Sequence, residues 1–267
     1  MNSNTLERLS DTQVIGRRFQ CLDTIDSTNT ECKRRALAGE PEGLVITAEE
    51  QTAGRGRYGR SFHSPKGKGL YYSCLLRPQL RPEEAVNLTA WIAAAVCDAI
   101  EETCGVSTQI KWTNDIILDG KKLCGILTEM EVDAETGTVR YIVPGIGINV
   151  NHREEDLEPS IRPIATSLAM HLGHEVDRTA LAAALTRHLD RLYSVFPAQK
   201  EEYLQKYRQR CCTVGIPLML HYAGGTCEEA YGLAIDDDFR LVVRMADGQV
   251  QHVSTGEVSV RGLCGYV

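Results

Sequence analysis

The clearest candidate for chemistry is a basic, glycine-rich loop at residues 54–60. In its sequence, GRGRYGR, Arg55, Arg57 and Arg60 each directly follow a glycine. Glycine lets the backbone approach a ligand closely, and guanidinium groups are forked donors that match phosphate or carboxylate oxygens. The pattern predicts a site for a small anion. A solvated basic loop, or an RG-type segment that binds nucleic acid, is the alternative interpretation.

A second cluster lies at residues 111–115, KWTND, and continues in the lysine pair Lys121 and Lys122. This cluster would place a lysine, an amide and a carboxylate at a strand end, next to a hairpin that brings back two more lysines. Such a set of groups would suit a triphosphate with its Mg²⁺. The alternative is a polar hairpin tip whose lysines are solvated. From the residues alone, the two interpretations carry equal weight.

A third pattern, GIGINVN at residues 145–151, ends an apolar strand in glycines and asparagines. Glycines here would let a ligand ring lie against the backbone, and an asparagine could contact adenine or phosphate. The pattern does not match G-x-G-x-x-G at the start of a helix, which argues against a Rossmann site. A turn without a ligand fits the pattern equally well.

Composition limits the function classes. The chain has 267 residues, 43% of them hydrophobic, and a net charge of -7, which suits a globular protein and argues against one that coats nucleic acid. The first twenty residues lack an apolar core, and no segment is long and apolar enough to cross a bilayer. We therefore expect a cytoplasmic protein with no DNA and no membrane partner.

The ten cysteines include no C-x-x-C and are expected to be reduced and mostly buried.

Helices and strands must position these residues. Residues 26–38 are predicted to form a helix with Thr28 and Glu31 as a capping box, and a longer helix is predicted from residue 81 to Gly105. Helical patterns return between residues 177 and 210, with a break at Pro197. Apolar runs predict strands at 43–49, 69–76, 109–112, 116–118, 123–132 and 141–150, and Asp119-Gly120 predicts a tight hairpin. From residue 213, short β-type runs predict a small barrel.

Five motifs together resemble the biotin–protein ligase family. They are DSTN at 26–29, EQTAGRGR at 50–57, KWTND at 111–115, KLCGIL at 122–127 and GIGIN at 145–149, in the family's order and approximate spacing. The resemblance covers about residue 22 to the end of the sequence. It implies an α+β fold: a mixed β-sheet with flanking helices, similar to class II synthetases, in a catalytic domain of residues 1–212, and an SH3-like β-barrel at 213–267.

The resemblance implies a two-step reaction. The biotin carboxylate attacks the α-phosphate of Mg-ATP to give biotinyl-5′-AMP and pyrophosphate, and a lysine of a biotin carboxyl carrier protein, from acetyl-CoA carboxylase or a related enzyme, then displaces AMP. ATP and biotin are substrates, and Mg²⁺ is required. Because both partners in the first step are anions, cations must offset their repulsion.

The resemblance also assigns roles to individual residues. The implied catalytic residues are Lys122, which contacts the biotin carboxylate and the α-phosphate, and Arg57, which contacts the adenylate phosphate. The residues implied to bind biotin are Ser27, Thr28, Asn29, Gln51, Gly54, Arg55, Gly56, Arg57, Lys122 and Gly125. The residues implied to bind ATP or the adenylate are Arg57, Arg60, Lys111, Trp112, Asn114, Asp115, Lys122 and Asn149, with Asp115 also a candidate Mg²⁺ ligand.

Three departures from the family pattern stand out. Thr113 replaces a proline that many members have, and Tyr58 replaces an arginine that some members have. Asp26 lies so near the start that no helix-turn-helix domain is expected before it, which indicates a monofunctional ligase. A homodimer, a lipoate or octanoate attachment enzyme, and a binding protein without catalysis stay open as alternatives.

Overall fold

The protein is described by a computed structural model that covers residues 1–222, 225–254, 256, 258–262 and 266. Within these residues the helices are α1 (Ser3–Ser10), α2 (Thr28–Leu37), α3 (Pro82–Ala85), α4 (Leu88–Cys104), α5 (Leu168–Leu172), α6 (Arg178–Val195) and α7 (Lys200–Arg210). The strands of the first part are β1 (Arg18–Ile25), β2 (Leu44–Gln51), β3 (Gly69–Cys74), β4 (Gln109–Lys111), β5 (Asp115–Leu118), β6 (Lys121–Val132) and β7 (Val139–Asn149). The strands of the second part are β8 (Pro217–Tyr222), β9 (Cys227–Ile235), β10 (Leu241–Met245), β11 (Val250–Val253) and β12 (Val258–Gly262).

The larger sheet is mixed and has the strand order β1-β2-β3-β7-β6-β5-β4. The pair β1 and β2 is parallel, and the neighbours from β2 onward are antiparallel. Alternate residues of β2 face opposite sides, as the strand period requires: Leu44 and Ile46 join a cluster with α2, whereas Val45 joins the main core with α4 and α6. Helices therefore cover both faces, and the expected α+β fold with a mixed sheet is confirmed.

The hairpin between β5 and β6 turns at Asp119 and Gly120, whose φ values are 52° and 72°. Positive φ at both central residues is the geometry that Asp-Gly favours in a two-residue turn. The hairpin pairs Ile117 with Lys122 and Asp115 with Gly125. The turn thus returns Lys122 to the strand end that carries the KWTND motif, as predicted.

Some predicted elements were wrong in detail. The predicted capping box of α2 does not form: Ser27 is the N-cap and makes no side-chain cap, while the Thr28 hydroxyl bonds to Gln51. The predicted single helix from residue 81 is two helices, α3 and α4, although Gly105 does end the second in a left-handed conformation. Helix α1 and strands β1 and β11 were not predicted.

The second sheet is antiparallel with the order β11-β10-β9-β8-β12, which agrees with a small C-terminal β domain. It packs on the first part through Trp112, whose indole N–H donates to the Phe239 carbonyl at 2.8 Å and whose backbone N–H donates to Thr213 Oγ1 at 2.9 Å. Tyr207 meets the Phe239 ring edge to face. The division at residues 212 and 213 stays a prediction.

Two further expectations concern exposure. The nine described cysteines are free thiols, as expected, but only four of them are buried, four are partly exposed and Cys227 is exposed; Cys264 lies outside the described residues. In the part of the chain that the structure describes, no helix has both the length and the apolar character that a bilayer span requires.

Candidate active site

Two pockets meet at the basic loop. The first has an empty volume of about 480 Å³ and lies over the centre of the larger sheet; the second, about 1140 Å³, lies between that sheet and the C-terminal β domain. The two pockets share the lining residues Gly56, Arg57, Phe62, Asn114 and Lys122. A ligand in one pocket would therefore lie next to a ligand in the other.

The polar end of the first pocket is held by hydrogen bonds between its own side chains. The backbone N–H and hydroxyl of Thr28 donate to Gln51 Oε1 at 2.9 and 3.1 Å, and Gln51 Nε2 donates to Ser64 Oγ at 2.9 Å. The buried Ser73 hydroxyl lies 2.8 Å from Thr28 Oγ1 and 2.6 Å from Asn29 Oδ1. The donors and acceptors are thus fixed in place, which is the preorganisation that recognition of a small polar group needs.

Arg55 is paired with a carboxylate that the sequence did not single out. Its Nη1 lies 2.9 and 3.1 Å from the two oxygens of Glu129, which also accepts from Lys33 Nζ at 2.7 Å and from Asn29 Nδ2 at 3.1 Å. Burial alone would raise the pKa of Glu129, but the hydrogen bonds from Lys33 and Asn29, together with the charges of Lys33 and Arg55, outweigh it and lower the pKa. Arg55 therefore anchors the start of the basic loop to β6.

Glycines make room for the protein's own side chains in this pocket. A Cβ on Gly147 would lie 2.6 Å from the Phe62 ring, and one on Gly145 would lie 1.9 Å from Asn29 Oδ1. Gly54 is needed for a similar reason, because a Cβ there would lie 2.3 Å from the Phe62 carbonyl. The space predicted for a ligand ring at residues 145–149 is thus filled in part by Phe62.

The second pocket collects positive charge around Arg57. Arg57 Nη1 donates to Asn114 Oδ1 at 2.9 Å and to Thr113 Oγ1 at 3.3 Å, and Nη2 donates to the Tyr58 hydroxyl at 2.9 Å. These bonds place the guanidinium beside the KWTND segment, where the peptide bond between Trp112 and Thr113 is cis. The pocket is also lined by the cationic residues Arg60, Lys111, Lys122 and Arg261. It suits an extended, multiply charged anion.

Lys111 is the most perturbed cation of this pocket. Burial lowers its pKa to about 8, against the opposing charge of Asp115. Its ammonium group lies 3.7 Å from the centre of the Tyr266 ring and donates to the Tyr266 carbonyl. An anion bound nearby would favour the charged form of Lys111 and raise its pKa.

Lys122 lies where the pockets join. Its Nζ is 2.7 Å from Asp115 Oδ1, and the other Asp115 oxygen accepts from the Tyr266 hydroxyl at 2.5 Å. A Cβ on Gly125 would stand 3.2 Å from Lys122 Nζ, so glycine leaves this side chain free to lie across the strand. A single ammonium group can therefore reach a carboxylate in one pocket and a phosphate in the other.

Most residues expected from the sequence lie in these pockets. The first brings together the expected residues Ser27, Thr28, Asn29, Gln51, Arg55, Gly56, Arg57, Lys122 and Gly125. The second brings together the expected residues Arg57, Arg60, Lys111, Trp112, Asn114, Asp115 and Lys122. Gly54 lines neither pocket. Asn149 also lies outside both and is buried, with its Nδ2 donating to the Thr166 carbonyl at 3.0 Å.

The remaining lining residues had no individual role assigned from the sequence. Those of the first pocket are Phe62, Tyr71, Tyr72, Ile126, Leu127, Gly145, Ile146 and Gly147. Those found in the second pocket alone are Tyr58, Ser61, Thr113, Ile164, Val258, Ser259, Val260, Arg261 and Tyr266. Gly145, Ile146 and Gly147 lie in the GIGIN motif, which predicted a ligand site but did not identify the ligand. The C-terminal residues carried no such signal.

Comparison with known proteins agrees with this geometry. Residues 21–149 match the model of the Biotin/lipoate A/B protein ligase family. The chain is 40% identical over 240 residues to the bifunctional ligase/repressor BirA of Bacillus spizizenii, covering 89% of this chain and 72% of that protein. It is 32% identical over 265 residues to the biotin–[acetyl-CoA-carboxylase] ligase of Mycobacterium tuberculosis, covering 94% of each.

Solved structures with ligands are similar as well. The biotin protein ligase of Aquifex aeolicus in complex with biotin and ATP superimposes with a TM-score of 0.76 at 28% identity, covering 91% of this chain and 98% of that one. The Leishmania major biotin protein ligase in complex with biotinyl-5-AMP gives a TM-score of 0.62 at 27% identity, covering 89% and 98%.

Proposed function

The chain belongs to the biotin–protein ligase family and is an enzyme of that type, and from this premise we propose that it forms biotinyl-5′-AMP and transfers the biotin to a specific lysine of a biotin carboxyl carrier protein. The observation that carries the proposal is the position of Lys122 at the junction of two pockets. One pocket has fixed polar groups and the other is rich in cations. Activation of a carboxylate by a nucleotide requires two such sites side by side.

The first pocket is assigned to biotin. The ureido ring of biotin carries two N–H donors and a carbonyl acceptor, and the fixed polar groups of Thr28, Asn29 and Gln51 can complement them. Ile126, Leu127 and Tyr72 supply apolar surface for the rest of the ring system. With the ring at this end, the valerate carboxylate would extend toward Lys122.

The second pocket is assigned to ATP. Its cations, Arg57, Arg60, Lys111 and Arg261, can offset the charge of the phosphates. Among the described residues that line the two pockets, Asp115 is the only carboxylate. Mg²⁺ commonly uses one or two carboxylates together with substrate phosphates, so this donor set fits a Mg²⁺ ion that enters with ATP, and Asp115 would hold it. When bound, the ion would offset phosphate charge.

In the first step, a biotin carboxylate oxygen attacks the α-phosphorus and an O–P bond forms. The bond between the α-phosphorus and the oxygen that bridges to the β-phosphate breaks, which releases pyrophosphate. Lys122 lowers the repulsion between the two anions and stabilises the charge that builds up on the α-phosphate. In the second step, a lysine amine attacks the carbonyl carbon of the mixed anhydride. An amide forms, AMP leaves with the electron pair of the C–O bond, and the proton of the amine passes to water.

A labelling experiment tests the proposal. Purified protein is incubated with Mg-ATP and a biotin carboxyl carrier domain, with either biotin or lipoate, and the acceptor is analysed by mass spectrometry. We expect one acceptor lysine to gain a biotinyl group. Lipoyl transfer in place of biotinyl transfer would assign the enzyme to the lipoate branch. No labelling of the carrier domain, despite pyrophosphate release with biotin, would refute the acceptor part of the proposal.

A further inference from the structure

Tyr58 lies at the tip of the basic loop and touches the C-terminal β domain. It is the middle residue of the short 3-10 turn Arg57–Gly59 and has φ 57° and ψ 36°. This left-handed conformation is uncommon for a residue with a bulky side chain, so contacts around it must hold it. Its ring is about half exposed, and its hydroxyl makes two hydrogen bonds.

The Tyr58 hydroxyl joins two parts of the site. It accepts a hydrogen bond from Arg57 Nη2 at 2.9 Å and donates to the Val258 carbonyl, at the start of β12, at 3.3 Å. The Arg57 guanidinium carbon also lies 5.0 Å from the centre of the Tyr58 ring, within cation–π range. One side chain thus contacts the guanidinium in two ways and connects it to the opposite wall of the second pocket.

That wall is fixed independently of the loop. Trp112 bonds to the Phe239 carbonyl, and the Arg208 guanidinium donates to the Ile235 carbonyl at 2.8 Å. These contacts hold the C-terminal domain on the body of the protein. The bond from Tyr58 to Val258 therefore connects the loop tip to a domain that contacts outside the loop hold on the body of the protein.

We propose that Tyr58 is a positioning residue that ties the loop tip to β12 and so aims the Arg57 guanidinium at the nucleotide phosphates. This inference rests on the proposed assignment of the second pocket to ATP. The chemistry of the side chain supports the role, because a phenolic hydroxyl accepts and donates at once, whereas an arginine at this position could only donate. The chain thus uses tyrosine to hold Arg57 through the C-terminal domain.

The test compares wild-type protein with Tyr58→Phe, which keeps the ring and removes both hydrogen bonds. We expect the KM for ATP to rise roughly fivefold to tenfold, because an exposed hydrogen bond to a charged group is lost. The value of kcat should stay within about twofold, and the KM for biotin should rise clearly less than that for ATP, since Arg57 also lines the first pocket. Tryptic cleavage at the loop arginines of ligand-free protein should be faster. The matched control is Tyr231→Phe. The Tyr231 hydroxyl also donates to a backbone carbonyl, that of Gly215 at 2.7 Å, but Tyr231 lines neither pocket.

The outcomes separate this inference from the proposed function. If wild-type protein releases no pyrophosphate with biotin and ATP, the proposed function fails, while the cleavage rates of the ligand-free variants still report whether Tyr58 ties the loop. If wild-type protein is active and Tyr58→Phe has the KM for ATP and the cleavage rate of wild type, the inference is overturned. Equal rises in the KM values for ATP and biotin would also overturn it, since they would indicate general disorder of the loop.

Discussion

The ammonium group of Lys122 lies 2.7 Å from the carboxylate of Asp115, at the junction of the two pockets. The pair holds the lysine between the place assigned to the biotin carboxylate and the place assigned to the α-phosphate. This position is maintained by an ion pair between strands β5 and β6, so the protein's own groups hold the cation in place.

Lys122→Ala should reduce the rate of adenylate formation by at least about 100-fold, because it removes the charge between two reacting anions. Single-turnover formation of biotinyl-5′-AMP measures this. The matched control is Lys121→Ala, which removes the adjacent lysine that lines neither pocket. Equal rates for folded Lys122→Ala and the control would show that Lys122 does not take part in adenylate formation.

Arg57→Ala should shorten the retention of the adenylate, since the loss of a guanidinium contact to the phosphate removes a charge-assisted hydrogen bond. We expect release to be about tenfold faster in stopped-flow measurements. Arg244→Ala is a suitable control, because Arg244 packs on Tyr231 in the C-terminal domain and lines neither pocket. An unchanged off-rate for Arg57→Ala would contradict the assigned contact.

Gly147→Ala should destabilise the protein by about 1–3 kcal/mol, because the new methyl group would overlap the Phe62 ring. Chemical denaturation measures the loss. In a Phe62→Ala background the same substitution should cost clearly less, since the ring that causes the overlap is absent. If Gly147→Ala costs the same in both backgrounds, the two residues are not coupled and the ring does not pack there.

His152 should make stability depend on pH. It is fully buried, and burial lowers its pKa from 6.5 to about 4. The unfolded chain then binds more protons than the folded one between these values, so the unfolding free energy should fall by about 3 kcal/mol as the pH drops from 6.5 to 4.

Denaturation curves of wild type and His152→Leu across this pH range test the predicted contribution of His152 to the pH dependence of stability. The variant should lose the part of the pH dependence that belongs to His152, so that its curve is flatter than that of wild type. His174→Leu provides the control, because His174 is exposed and bonds to the neighbouring Glu175 carbonyl. Parallel curves for wild type and His152→Leu would show that His152 does not titrate in this range.

The sequence located the site because its charged and glycine-rich motifs are local. Residues 54–60, 111–115 and 122–127 each carry an unusual pattern over a few positions, and strand pairing brings them together. Glu129, Phe62 and Tyr266 were missed because their roles depend on contacts between distant segments. Glu129 lies in a polar run at the end of β6, and only the fold shows that Arg55 and Lys33 reach it.

The same reasoning explains the errors in the fold. Strand β1 is an edge strand in which polar and apolar residues stop alternating at Leu22, and its parallel pairing with β2 is not visible in its own sequence. The capping box failed because Gln51, which is distant in sequence, recruits the Thr28 hydroxyl. By contrast, the Asp119-Gly120 turn was predictable, because two consecutive residues determine its geometry.

The central claim is that two adjacent pockets hold biotin and ATP so that Lys122 serves both. Its most direct test is the exchange of labelled pyrophosphate into ATP, which reports the reversible first step without an acceptor protein. We predict exchange that requires biotin, is not supported by lipoate, and is abolished in Lys122→Ala but retained in Lys121→Ala. Exchange without biotin, or undiminished exchange in folded Lys122→Ala, would contradict the account.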